Sequence, residues 1–218
     1  MLLANLAHCG RDFAGTPLSW NDSPTGVAVD STGRTFVAES SGHTVRAITG
    51  GGTVSTLVGA AGTSGYNEAT GTAALLDTPS GLAVRESGGV ITLLVCDRMN
   101  DRIRTVDVAS AATASAAGDG VTGFVDGPAD RSRFNRPNKI AVSASNVKFV
   151  TDVNNHAVRK VTGLGAAGAV ATLAGTGAAG DGVGDSVLAA FSSPLGIAVD
   201  SANYVYVADQ GNNKLKLI

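Results

Sequence analysis

Cysteine is scarce: Cys9 and Cys96 are the only two in 218 residues, too few for a disulfide framework. Charge is scarce as well, at 16% of residues against the usual quarter. A net charge of −2 and a pI near 5.9 give no general attraction to nucleic acid or to an anionic membrane. Aromatic side chains amount to 5%, namely Trp20, three Tyr and six Phe. So few rings, several of them in strand-like runs, disfavour a surface that stacks single-stranded bases. No apolar run approaches the ~20 residues of a membrane span. The start, MLLANLAHCG, lacks the basic n-region of a signal peptide, and His8 stands where a lipoprotein cleavage site needs a small residue. Neither the cysteines nor a targeting sequence decides the compartment. No Ser-His-Asp set, H-E-x-x-H or paired-cysteine motif occurs.

What is abundant is glycine, 29 residues, in a chain that is 44% hydrophobic. That composition fits sheets and turns around a core. The pattern beneath it is a repeat, seen best in Pro194–Ile218, PLGIAVDSANYVYVADQGNNKLKLI. Related copies begin at Pro24, Pro79 and Pro137, at intervals of 55, 58 and 57 residues, each with an alanine four positions on: Ala28, Ala83, Ala141 and Ala198. Such a period marks stacked supersecondary units.

Within a copy, Gly196–Val199, Tyr204–Ala208 and Lys214–Ile218 read as short strands, and a fourth follows in complete copies at Val54–Val58 and Val170–Ala174. Four antiparallel strands per repeat predict an all-β propeller, each repeat one blade packed on its neighbours. One domain over 1–218 is expected, with blades at 24–78, 79–136 and 137–193. Residues 194–218 supply three strands of a closing blade, and 1–23 bring an outer strand, residues 2–7, that completes it.

An acid closes the second strand of every copy and a base stands seven residues later: Glu39 and Arg46, Asp97 and Arg104, Asp152 and Arg159, Asp209 and Lys216. Midway lie Gly42-His43, Asn100-Asp101, Asn155-His156 and Asn212-Asn213, types that suit the positive φ of a two-residue hairpin turn. Centring the turn there sets each acid directly opposite its base, so the pairs read as structural register pins.

The combination GIAVD, VYVAD, Asn before a basic strand, then TLAG and a glycine-rich loop (TLAGTGAAGDG, Thr172–Gly182) resembles the NHL repeat family of β-propellers over almost the whole chain. The second copy departs most, with Arg85 in place of the usual acid and three extra residues before Asp97; the third has Lys139 for glycine and Ser143 for aspartate. Propellers of this family commonly have six blades, so a fragment of a six-bladed ring is the alternative to a closed ring of four. An incomplete ring implies self-association.

The resemblance implies a non-enzymatic protein-interaction or scaffold module with a protein partner and no cofactor. Two alternatives follow from related propellers. One is an enzyme of lyase or lactonase type with a channel metal site, toward which Asp30 and Asp200 point while Arg85 and Ser143 break the four-fold set. The other is single-stranded RNA binding.

Local motifs add little. Gly175–Gly180 spells G-x-G-x-x-G, but Asp181-Gly182-Val183-Gly184-Asp185 is a poor start for the helix a dinucleotide site requires. Asp119, Asp126, Asp130, Asp181 and Asp185 carry calcium-type oxygens without EF-hand spacing. His43 and His156 occupy equivalent turns that diverge rather than converge on a zinc. The long loops 59–78, 118–136 and 175–193 are expected to be plugged into the body by Leu76, Phe134 and Phe191.

Overall fold

A computed structural model describes residues 23–184 and 188–218. The outer strand expected at residues 2–7, and with it completion of the last blade, lies outside the described residues, as do His8, Cys9, Trp20 and Asp185.

The chain folds into four antiparallel sheets, the blades of a propeller. Blade 1 is β1 (Pro24–Val29), β2 (Thr35–Glu39), β3 (Thr44–Ile48) and β4 (Val54–Val58). Blade 2 is β5 (Pro79–Ser87), β6 (Val90–Asp97), β7 (Arg102–Asp107) and β8 (Thr113–Ala117). Blade 3 gains a fifth strand because β9 (Gly127–Pro128), from the loop before it, pairs with the outer edge of β10 (Pro137–Val142), β11 (Lys148–Asp152), β12 (Ala157–Thr162) and β13 (Ala169–Ala174). Blade 4 comprises β14 (Pro194–Val199), β15 (Val205–Asp209) and β16 (Lys214–Leu217). Among the described residues the helical pieces are single 3-10 turns.

Successive strands show side chains to opposite faces, and in blades 2 and 3 both faces meet a neighbouring blade. Leu82 and Val84 of β5 therefore pack back onto Phe36, Ala38 and Val45 of blade 1. Ile140 packs onto Leu94, Cys96 and Ile103 of blade 2, and Ile197 and Val199 onto Phe149 and Val158 of blade 3. Leu76, Phe134 and Phe191 are fully buried, one in each seam, so every long loop ends in an apolar plug. A buried side chain of this size contributes roughly 1.5–3 kcal/mol. Cys96 is one such filler, its thiol pushed up to about 12 by burial.

Glycine is required where inner strands touch: a Cβ on Gly26 would lie 2.0 Å from the Ser80 carbonyl oxygen, and one on Gly81 2.4 Å from that of Asn138. Lys139 occupies the corresponding place in blade 3 and hydrogen-bonds the Thr25 carbonyl of blade 1. Inner strands pack in series, β1 on β5, β5 on β10 and β10 on β14. Among the described residues β14 makes no comparable packing on β1, and the faces that would meet there are open: Val27 is 65% exposed and Leu215 74%.

Candidate interaction face

The expected two-residue turn is not what joins the second and third strands. Four residues connect them, with a 3-10 turn over Arg98–Asn100, Val153–Asn155 and Gln210–Asn212 and a left-handed residue after it, Asp101, His156 or Asn213. The register moves accordingly. Glu39 faces Thr44, Asp97 faces Arg102, Asp152 faces Ala157 and Asp209 faces Lys214. Each base lies two residues further along, a diagonal neighbour on the same face, within reach of a long side chain. The ion pairs measure 3.5 Å for Glu39–Arg46, 3.0 Å for Asp97–Arg104, 2.8 Å for Asp152–Arg159 and 2.9 Å for Asp209–Lys216.

These groups do more than face one another: they hold the long loops. In blade 3, Asp152 accepts hydrogen bonds from Arg159, from Asn155 Nδ2 and from the Asn135 N–H. Asn155 Nδ2 also donates to the Gly123 carbonyl, and Arg159 to the carbonyls of Arg133 and Val125. Blade 2 repeats the arrangement with Asp97, Asn100, Gly65 and Arg104, and blade 4 with Asp209, Asn212, Gly180 and Lys216. Asp97, Arg104, Asp152 and Arg159 are wholly buried. Burial pushes the carboxyls of Asp97 and Asp152 up to about 6, against the opposing pull of their N–H donors.

A second joint links each blade to the next. The residue before the inner-strand proline has positive φ in all four blades: Ser23, Thr78, Arg136 and Ser193. This is unfavourable ahead of proline. In three of them its N–H is caught by the left-handed hairpin residue of the preceding blade: Thr78 by His43 Nδ1 at 3.1 Å, Arg136 by Asp101 at 2.6 Å and Ser193 by His156 Nδ1 at 3.0 Å. His43 and His156 are thus turn residues with a task, each accepting at Nδ1. Sequence reasoning missed this joint because its acceptors are His, Asp and His and its donors share no residue type.

Anchored in this way, the loops expose apolar side chains over the hairpins. Tyr66 stacks on Arg102 and Arg104, with centroid distances of 4.3 and 4.8 Å, and Phe124 on Arg159 at 4.9 Å. Val121 and Val125 stand exposed beside Phe124. The position of Tyr66 and Phe124 after the loop glycine is taken in the third loop by Asp181, which pairs with Lys214 and Lys216.

The remaining candidates are consumed locally. Asp119 accepts from Arg133 and the Val121 N–H, and Asp126 pairs with Arg159 at 2.6 Å. Among the described residues no three His, Cys, Asp or Glu side chains are grouped to hold a metal ion. Asp30 and Asp200 each cap the turn after the first strand of their blade, accepting the N–H groups of Thr32 and Arg34 and of Ala202 and Tyr204. Burial opposes ionisation of Asp30, but bonds from Thr32 and Arg34 outweigh it and hold the carboxyl below its usual range. Among the described residues no helix follows Gly175–Gly180, so the glycine pattern there lacks the helix a dinucleotide site requires. No helix is long and apolar enough to cross a membrane among the described residues.

The sequence model of the Teneurin NHL domain matches residues 2–218. No curated protein matches the chain. Solved structures resemble it at low identity. A structural-genomics protein of unknown function from Bacteroides thetaiotaomicron is 16% identical with a TM-score of 0.73, covering 94% of this chain and 50% of that one. An auxiliary nutrient binding protein from Bacteroides ovatus is 20% identical with a TM-score of 0.65, covering 89% and 47%. A gluconolactonase from Xanthomonas campestris is 17% identical with a TM-score of 0.60, covering 89% and 57%. This chain therefore spans about half the length of these structures, and the likeness is one of fold.

Proposed function

We propose that this chain, which belongs to the Teneurin NHL domain family, is a non-enzymatic interaction module whose loop-bearing face docks a protein partner. The observation that carries the reading is the exposed apolar group Tyr66, Val121, Phe124 and Val125, set on loops that buried Asp–Asn–Arg clamps fix to the blades. Aromatic rings already stacked on guanidinium groups lose little freedom on binding, which is what a recognition surface needs. The immobilised chain should retain a defined set of proteins, and a Tyr66→Ser/Val121→Ser/Val125→Ser variant should lose them while still melting cooperatively, with only the small loss of stability that removing the Tyr66 stacking brings. Hot-spot side chains of this kind weaken binding about tenfold or more when truncated. Equal retention by the variant, or loss on a Val90→Ser control at the start of β6, at the far end of blade 2, removes this face as the docking site.

A further inference from the structure

Blade 2 differs from the others at the turn after its inner strand, and the difference frees a charged side chain. Elsewhere the residue that follows the inner strand caps that turn. Asp30 and Asp200 do so as described, and Ser143 Oγ accepts the Val147 N–H at 3.3 Å. In blade 2 this place belongs to Arg85. There the ladder continues beyond it through Arg85–Thr92, Glu86–Ile91 and Ser87–Val90, and closes on Gly88-Gly89 at φ 56° and 79°. A two-glycine turn of this kind satisfies its backbone through the ladder itself. No cap is needed, and the side chain at position 85 is released.

The alternation of β5 decides where it goes. Leu82 and Val84 face blade 1, whereas Ala83 packs in the seam with blade 3, so Arg85 is directed to blade 3. With Glu86, Ser87, Val142, Ser143 and Asn146 it lines a cavity of about 350 Å³. Arg85 Nε is buried there without donating to any described residue, and Asn146 Oδ1 is buried without accepting from one. Glu86 makes no ion pair with Arg85 among the described residues; its two oxygens accept from the N–H and Oγ of Ser31, at 2.7 and 2.6 Å. Lys148 adds a second positive charge. Its Nζ donates to the Gly163 carbonyl at 3.3 Å, and burial first, then the nearby Arg85, holds the ammonium below its usual range. Lys148 is thus a second positive charge near Arg85, though it does not line the cavity itself.

We propose that this cavity binds a small anion bearing a carboxylate or phosphate group, taken by the planar fork of Arg85, with the Asn146 amide receiving a neighbouring hydroxyl or amine of the ligand. A guanidinium matches either oxyanion through two parallel N–H bonds. The volume sits at the lower end of small-molecule sites, which restricts the ligand to a few carbons. The site lies away from the loop-bearing face and does not depend on it.

Calorimetric titration of the full chain with sodium lactate and, separately, sodium phosphate, each against sodium chloride at equal ionic strength, tests the assignment. At least one probe should bind saturably, and which one does identifies the oxyanion. Arg85→Met should weaken that binding at least tenfold, Arg85→Lys less, and Asn146→Gly, which keeps the left-handed backbone, several-fold. The proposal is overturned if neither probe saturates below about 10 mM, or if Arg85→Met and Asn146→Gly both bind as the parent chain does.

Discussion

The seams between blades and the two outer faces of the array are made of the same parts, and only the seams use them. At each seam an apolar pair from one inner strand enters the face of the preceding blade, a loop plug closes the rim, and a hairpin side chain catches the N–H before the next proline. On the outer face of blade 1 the equivalent pair, Val27 and Val29, is exposed. On that of blade 4 so are Tyr206, Leu215 and Leu217, and among the described residues the side chain of Asn213, counterpart of His43, Asp101 and His156, has no partner. A blade therefore carries half of a joint on each side. Its stability is a nearest-neighbour property, as in other repeat arrays.

The largest expected break is at a clamp inside a seam. Asp152→Ala leaves buried Arg159 with only the half-exposed Asp126 carboxylate and strips Asn155 and the Asn135 N–H of their acceptor, and the loss should be about 3–5 kcal/mol. Glu39→Ala, where Arg46 is partly exposed and 3.5 Å away, should cost only about 1–2 kcal/mol. Denaturant melts of the two variants measure the difference, and equal losses would mean that the clamp does not depend on its burial.

Next comes the apolar pair. Leu82 is 7% exposed, and Leu82→Ala should destabilise by about 2–5 kcal/mol. Its counterpart Val27 stands on the open face, so Val27→Ala should stay within about 0.5 kcal/mol. A comparable loss at Val27 would show that this face is covered in solution.

The smallest effect is one of pH. Asp97 and Asp152, raised to about 6 by burial, keep their protons to higher pH in the folded chain than in the unfolded one. Their contribution to stability is complete below the ordinary carboxyl range and is lost as pH rises through about 6. Acidifying from pH 7 to 5 should thus stabilise the chain by about 1 kcal/mol per carboxyl. An Asp97→Asn/Asp152→Asn variant should lack this gain, and an identical pH profile for both proteins would contradict it.

The repeat was legible because a blade is a local object. Spacing of prolines, alternating β-branched residues and the recurring acid and base placed every inner strand and hairpin, and Leu76, Phe134 and Phe191 announced themselves as plugs by a fixed offset. What escaped was anything set by contact between blades. The acid–base pair was visible, but a hairpin centred on two residues is locally as reasonable as the four-residue turn that forms. In blades 2 to 4 the longer turn is held by an Asn–Gly contact between distant residues, Asn155 to the Gly123 carbonyl for example. That Asp30 and Asp200 each cap a turn was likewise hidden, because a sequence does not show the two turn N–H groups each of them accepts.

By itself the sequence determined the all-β propeller class and the family, since these follow from periodic patterns that each repeat carries within its own length. The tertiary structure decided which side chains are joints, which faces stay open and where Arg85 is released toward blade 3. Those outcomes depend on pairs of residues some 20 to 60 positions apart, whose meeting is fixed by blade packing and leaves no local pattern to read.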